Sequence, residues 1–263
     1  MKPKYKFYAT LLDAFQAYKD CDETWEMFWG NSDSPSISLE NYRIKAKQEF
    51  IDKLNRVPFD SDKADRGTAL NNVADGIARG YKGNGLGIYA EANGKKFAVP
   101  VEFIEWAEKK YGGKYLVPQK YLDATLPTMR GVVQLYGYAD FLEIDRIRDL
   151  KTTTSYSFGK YKDGWQHIVY PYCASQIDGL EHITQFVYDI VVIKDLYVPK
   201  GATEEEKIKL IREGYSIDHF NEEIYNYNHE KDLPRLVTIC EELIEFLKEN
   251  ECLIDKTKCK CFI

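Results

Sequence analysis

Asp140, Asp149 and Lys151 are the residues whose types and spacing best suit chemistry in this chain. They lie in YADFLEIDRIRDLKTTT (Tyr138 to Thr154), where an apolar and aromatic run, VVQLYGYADFL, is followed by IRDLKTTT. Apolar residues recur with period two on both sides of Ile144 and Asp145, which predicts a β-hairpin with its turn there. Alternation then puts Asp149 and Lys151 on one face of their strand and Leu150 on the other. Symmetry about the turn sets Asp140 across from Asp149, where cross-strand Cβ atoms are about 4.5–5.5 Å apart. Two carboxylates so placed repel, and burial makes the conflict worse. A divalent cation between them removes it, and oxygen-only ligands select magnesium or manganese over zinc. Lys151, one strand step beyond Asp149, is then placed to position or activate water, or to neutralise phosphate charge.

An acid-x-Lys triplet alone is a weak signal, since Glu108-x-Lys110 and Glu205-x-Lys207 match it too. Those two fall in polar helical segments with no acid opposite, so they read as solvated faces. The apolar hairpin around Asp149 and the opposed Asp140 set that triplet apart.

The elements that must hold this hairpin follow from the rest of the pattern. Leu11, Leu12, Phe15, Tyr18 and Trp25 have helical spacing, predicting a helix over Thr10–Trp29. GNSDSPS (Gly30–Ser36) is a loop by composition, and a second helix follows over Leu39–Leu54. VPFDSDKADRG reads as a loop, Thr68–Arg79 as a short helix and GYKGNGLG (Gly80–Gly87) as a turn. Short strands are expected at Ile88–Ala90 and Phe97–Val99, with a helix over Glu102–Tyr111. Val117–Arg130 fits either helix or strand. Tyr161–Ile177 reads as a helix bent at Pro171, and ITQFVYDIVVI (Ile183–Ile193) as a buried strand. Thr203–Asn250 reads as helical and charged. No repeat, low-complexity tract or linker divides the chain, so the expectation is one α/β domain over residues 1–263 with helical ends.

Four segments, in order, resemble the PD-(D/E)XK nuclease superfamily, particularly its RecB-like and phage-type exonuclease branch. GYAD (Gly137–Asp140) and DLKTT (Asp149–Thr153) match the core motif, with Ala139 where the family has proline. WQHIVY carries the branch's Gln-x-x-x-Tyr element at Gln166 and Tyr170, one helical turn apart. RGTALNNVAD supplies Gly67, Asn71 and Asp75 at i, i+4 and i+8, with Asn71 where the branch has a metal-binding histidine and Asp75 where it has a glutamate. The resemblance covers about residues 67–193. It implies a restriction-endonuclease-like core, a mixed central β-sheet flanked by helices, with extra N- and C-terminal helices. It further implies Mg2+ or Mn2+ held by Asp75, Asp140, Asp149 and the Leu150 carbonyl, with Lys151 assisting the attacking water and Gln166 and Tyr170 near the metal and DNA. The activity implied is hydrolysis of DNA phosphodiester bonds by an exonuclease of phage or prophage recombination or repair, with DNA and a recombination protein as partners. An endonuclease or CRISPR-type nuclease on the same core, and a DNA-binding or assembly module without catalysis, are the alternatives.

Cys21 with Cys252, Cys259 and Cys261 is similar to the iron–sulfur staple of some nucleases of this group, but the C-x6-C-x-C spacing departs from it, so free thiols are expected and no cluster. His167, His182, His219 and His229 show no zinc spacing. GNGLG leads into a strand rather than a helix and is no phosphate loop. Some of the twenty tyrosines could stack on single-stranded bases, and KKYGGKYLVPQK (Lys109–Lys120) could touch backbone phosphate. The 263 residues are 44% hydrophobic and 30% charged, an ordinary globular balance. A net charge of −6 argues against holding nucleic acid by bulk charge alone, while leaving room for a local basic groove. No apolar run approaches the roughly 18 residues of a membrane span. Six cysteines without an export signal point to reduced thiols in a cytoplasm.

Overall fold

The computed structural model describes residues 2–81 and 88–263. In chain order its elements are β1 (Tyr5–Tyr8), α1 (Ala9–Lys19), α2 (Cys21–Trp29), α3 (Leu39–Leu54), α4 (Asp62–Ala78), β2 (Ile88–Ala92), β3 (Lys95–Val99), α5 (Val101–Tyr111), β4 (Val117–Thr128), β5 (Gly131–Leu142), β6 (Arg146–Thr153), α6 (Gln166–Ala174), β7 (Gln185–Asp195), α7 (Glu204–Glu213), β8 (Tyr215–Asn226) and α8 (His229–Glu249). They make a mixed α/β fold with a central mixed sheet flanked by helices.

Five strands run in the order β1-β5-β6-β7-β8, with β4 also paired to β5. β1 lies parallel to β5, and β6 parallel to β7; the other pairs are antiparallel. β4 takes the whole length of one edge of β5. The other edge is shared: β1 pairs with Val133–Tyr136 and β6 with Phe141 and Leu142 only. Residues 137–140 of β5 are thus left between two partners, and the sheet has an opening there.

Two hydrophobic clusters cover the sheet. The larger gathers α1, α3, α6 and α8 about residues such as Phe15, Leu135, Ile168, Phe186 and Leu243. The smaller gathers α4 and α5 with Phe141, Leu150 and Val191. Every residue of α6 is buried, so it shows no polar face, as a helix enclosed on all sides should. Pro171 sits inside α6.

Several expectations are corrected. α4 begins at Asp62, well before Thr68, because Ser61 caps it by accepting from Ala64 N–H and Asp62 and Asp65 fill its first turn. The helix expected from Thr10 to Trp29 is two, broken at Asp20. The ambiguous Val117–Arg130 segment is the strand β4. The stretch expected to be helical and charged contains β8, an edge strand paired along its length with β7. Lys110 is no solvated lysine: its Nζ lies 3.0 Å from the buried Asp189. The turn expected over Gly80–Gly87, with GNGLG, lies largely outside the described residues. Among the described residues no helix is long and apolar enough to cross a membrane.

Candidate active site at the sheet opening

The hairpin turns where the alternation predicts. Phe141 pairs with Arg148 and Leu142 with Ile147, so the next pair in register is Asp140 and Asp149. The ladder stops before reaching it. Instead the Leu150 N–H donates to Asp140 Oδ2 at 2.9 Å, so a side chain fills the place of a backbone carbonyl. Opposite Asp140, Gln119 of β4 has left-handed backbone (φ 52°), a conformation few non-glycine residues adopt and one that collects at functional sites. Its side-chain amide donates to Asp140 Oδ1 at 3.3 Å.

Helices reach the opening from both clusters. Asn71 of α4 donates to Asp140 Oδ1 at 3.1 Å, and Gln166 of α6 donates to Asp149 Oδ1 at 2.8 Å. The two carboxylates therefore meet at the break in the sheet, each gripped from a different layer, rather than forming a plain cross-strand pair. Two glycines allow the approach. A Cβ on Gly67 would lie 2.7 Å from Thr152 Oγ1, so α4 packs closely on β6 only because that atom is absent. A Cβ on Gly137 would lie 2.2 Å from Cε1 of Tyr170, whose ring occupies the space.

The electrostatics are unbalanced. Asp149 is 4% exposed; its Oδ2 has no hydrogen bond and lies 2.7 Å from Lys151 Nζ, an ion contact outside hydrogen-bonding direction. Asn71 Oδ1 is a second buried oxygen without a donor. Burial, and then the Asp149 charge, push the Asp140 carboxyl up to about 6, against hydrogen bonds from Leu150 and Asn71. Lys151 shares its face with Asp149, and its Nζ is 5.7 Å from the centre of the Tyr188 ring. Leu150 packs on the other face, with the α4 cluster.

One expected ligand has a partner of its own. Asp75 is engaged by Arg79, one turn along α4, at 3.0 Å. Among the described residues no three acidic, histidine or cysteine side chains converge to hold a metal ion. The structure brings Asp140, Asp149, Lys151, Leu150, Gln166 and Tyr170 together, while the described side-chain hydrogen bonds of Asp75 go to Arg79. The donor set is of the kind a small hard cation takes: two carboxylates of like charge, with Asn71 Oδ1 a buried oxygen that accepts no hydrogen bond.

Three participants carry no motif in the sequence. Asp13 of α1 accepts the Trp165 N–H at 2.7 Å at the start of α6, and burial pushes its carboxyl up, with Lys151 and Asp149 among the charges acting on it. Gln119 and Tyr188 are the others. Only Asp13 left a trace, a charge interrupting an apolar helical run. None of the six cysteines is in a disulfide; Cys252 is exposed and the rest are buried.

No protein-family profile matches the chain, and no curated protein does. Among solved structures, the crystal structure of SSO0001 is similar, at 11% identity and a TM-score of 0.42, covering 94% of this chain and 78% of that one. A likeness at that level carries no argument about this site.

Proposed function

We propose that the protein is a metal-dependent DNA nuclease on a restriction-endonuclease-like core, working as an exonuclease in recombination or repair. One observation carries this reading: the Asp149 and Asp140 carboxylates meet at a break in the sheet with Lys151, on Asp149, as their one cation contact among the described residues, and Asp140 has none of its own. Asp140, Asp149 and the Leu150 carbonyl would hold Mg2+ or Mn2+. Such an ion, when bound, supplies Lewis-acid stabilisation of the phosphate and a water of lowered pKa.

The chain's own residues do the positioning. Asn71, Gln119 and the Leu150 N–H fix Asp140, and Gln166 fixes the rotamer of Asp149. Lys151 keeps ammonium protons free to donate to a phosphate oxygen or to orient water for in-line attack. Tyr170, seated over Gly137, walls the opening on the α6 side.

The test uses end-labelled linear DNA and covalently closed circles, each with magnesium, manganese or chelator. Linear DNA should shorten from an end only with metal, while circles survive. Circles cut as fast as linear DNA would make the enzyme an endonuclease. No cleavage of either substrate with either metal would overturn the nuclease reading.

A further inference from the structure

Beyond Asp140, the exposed face of β5 continues in a direction the proposed site does not use. Tyr138 and Tyr136 precede Asp140 at two-residue intervals, so the three start out on one face of the strand, about 7 Å apart along it. Tyr121 of β4 stands directly opposite Tyr138, and Tyr8 of β1 directly opposite Tyr136. The rings form a connected row: Tyr8–Tyr136 centroids are 5.7 Å apart, Tyr136–Tyr121 6.4 Å and Tyr121–Tyr138 5.1 Å. Exposure rises towards the site: Tyr8 and Tyr136 are half-buried, Tyr121 is 37% exposed and Tyr138 57%.

Cations border this row. Lys6, on the same face of β1, holds its Nζ 4.3 Å from the centre of the Tyr136 ring, and the charge of Arg56 acts on both Tyr8 and Tyr136. Neither cation is in an ion pair with a described residue, although the chain is acidic overall. The nearby acid, Asp123, is engaged by the Gln134 amide at 2.8 Å.

Cross-strand aromatic pairs do stabilise hairpins, which accounts for contact between rings. It does not account for leaving the ring nearest the carboxylates most exposed, nor for unpaired cations along the row. An open sheet with aligned, accessible rings and flanking positive charge is how proteins hold unpaired nucleotides, bases on the rings and phosphates on the cations. We propose that Tyr138, Tyr121 and Tyr136 form a stacking platform for single-stranded DNA, leading an unpaired end along β5 to Asp140. The inference rests on the nuclease reading for what the strand is delivered to, while the platform itself is a binding surface that can be measured without cleavage.

The experiment measures fluorescence anisotropy of a labelled twelve-residue oligothymidine, and of a duplex of equal length, with the full chain in chelator. The single strand should bind at least tenfold tighter than the duplex. Tyr138→Ala and Tyr121→Ala should each weaken it roughly 10- to 100-fold, the range of one lost base–aromatic stack. Tyr138→Phe, which keeps the ring, should restore binding. Thermal unfolding by circular dichroism shows that each variant is folded. Equal affinity for duplex, wild-type binding by a folded Tyr138→Ala chain, or no single-strand binding by the wild type each overturns the platform. Ring-dependent binding without cleavage removes only the nuclease reading; cleavage indifferent to the rings removes only the platform.

Discussion

Asp149 and Asp189 sit on neighbouring strands, β6 and β7, nearly level in register, and are 4% and 0% exposed. Asp189 accepts from Tyr111 Oη at 2.8 Å and lies 3.0 Å from both Arg148 and Lys110. Those cations also hold Glu222, and Arg148 holds Glu143. At the sheet opening, Asp149 and Asp140 have one lysine between them and an oxygen without a donor. Burial pushes both Asp189 and Asp140 upward; Arg148 and Lys110 pull Asp189 back, whereas Asp149 pushes Asp140 further. Burying a charge is tolerable only when it is paired and hydrogen-bonded. The Asp189 cluster meets that condition from within the chain. The Asp140 cluster, two carboxylates to one lysine, does not, which is the imbalance the proposed cation would relieve.

Deleting one side at a time separates the two. Asp189→Ala removes the buried anion between Arg148 and Lys110, leaving them Glu222 and Glu143 at the rim, and should cost about 3–5 kcal/mol in urea unfolding, with or without magnesium. Wild-type stability in that variant would remove the contrast. Asp149→Asn should do the reverse. Cleavage should fall ~10²-fold or more, about 3 kcal/mol of barrier, while unfolding in chelator is unchanged or improved, because a like charge beside Asp140 is gone. Lys151→Ala should reduce the rate similarly and still bind metal. A Lys151→Ala enzyme with wild-type turnover would remove the lysine from the chemistry.

The sequence made one of these clusters visible and hid the other. Asp140, Asp149 and Lys151 stood out because charge in a period-two apolar pattern breaks the local rule, and such conflicts collect at sites. Gln166 and Tyr170 were picked out by the resemblance, and their spacing puts them on one helix face. The Asp189 cluster was not, since its members come from α5, β6, β7 and β8, and β8 itself reads as a polar helix until its pairing with β7 is known. Asp75 was named by the resemblance, and its pairing was hidden for a related reason. Spacing puts a residue on a helix face but cannot say that Arg79, one turn on, will take its carboxylate. Asp13 and Gln119 reach the site through tertiary packing and a backbone conformation, neither written in a motif.

Acid sharpens the comparison on the α6 side. His167 is buried, stacked on Tyr225 with centroids 4.5 Å apart, and burial drives its pKa down to about 4 from an ordinary 6.5. The unfolded chain takes up a proton below about pH 6.5 that the folded chain refuses until about 4. Stability from the neutral imidazole is intact above 6.5 and lost as pH falls through that window, by at most roughly 3 kcal/mol. On the other side, against the upward push of burial, Lys110 and Arg148 hold Glu222 at about 2, so that carboxylate stays charged throughout. Urea unfolding from pH 7 to 4 should show the loss, and His167→Phe should flatten it. An unchanged slope in that variant would assign the acid sensitivity elsewhere.

The smallest expected effect tests the contrast most directly. A ligand that binds only the folded chain stabilises it by RT ln(1 + [L]/Kd), about 1.4 kcal/mol at ten times Kd, a few degrees in a chain of this size. Magnesium, or calcium where turnover must be avoided, should give the wild type that increment. Asp140→Asn and Asp149→Asn should lose it, since each removes half of the paired charge at the opening. Glu222→Gln should begin from a lower midpoint, because Arg148 and Lys110 lose a partner, yet gain the full increment. That pattern cannot arise from a general effect of salt, which would screen both clusters alike. If the increment survives in both aspartate variants, the ion binds elsewhere, and the unsatisfied oxygen of Asp149 needs another explanation.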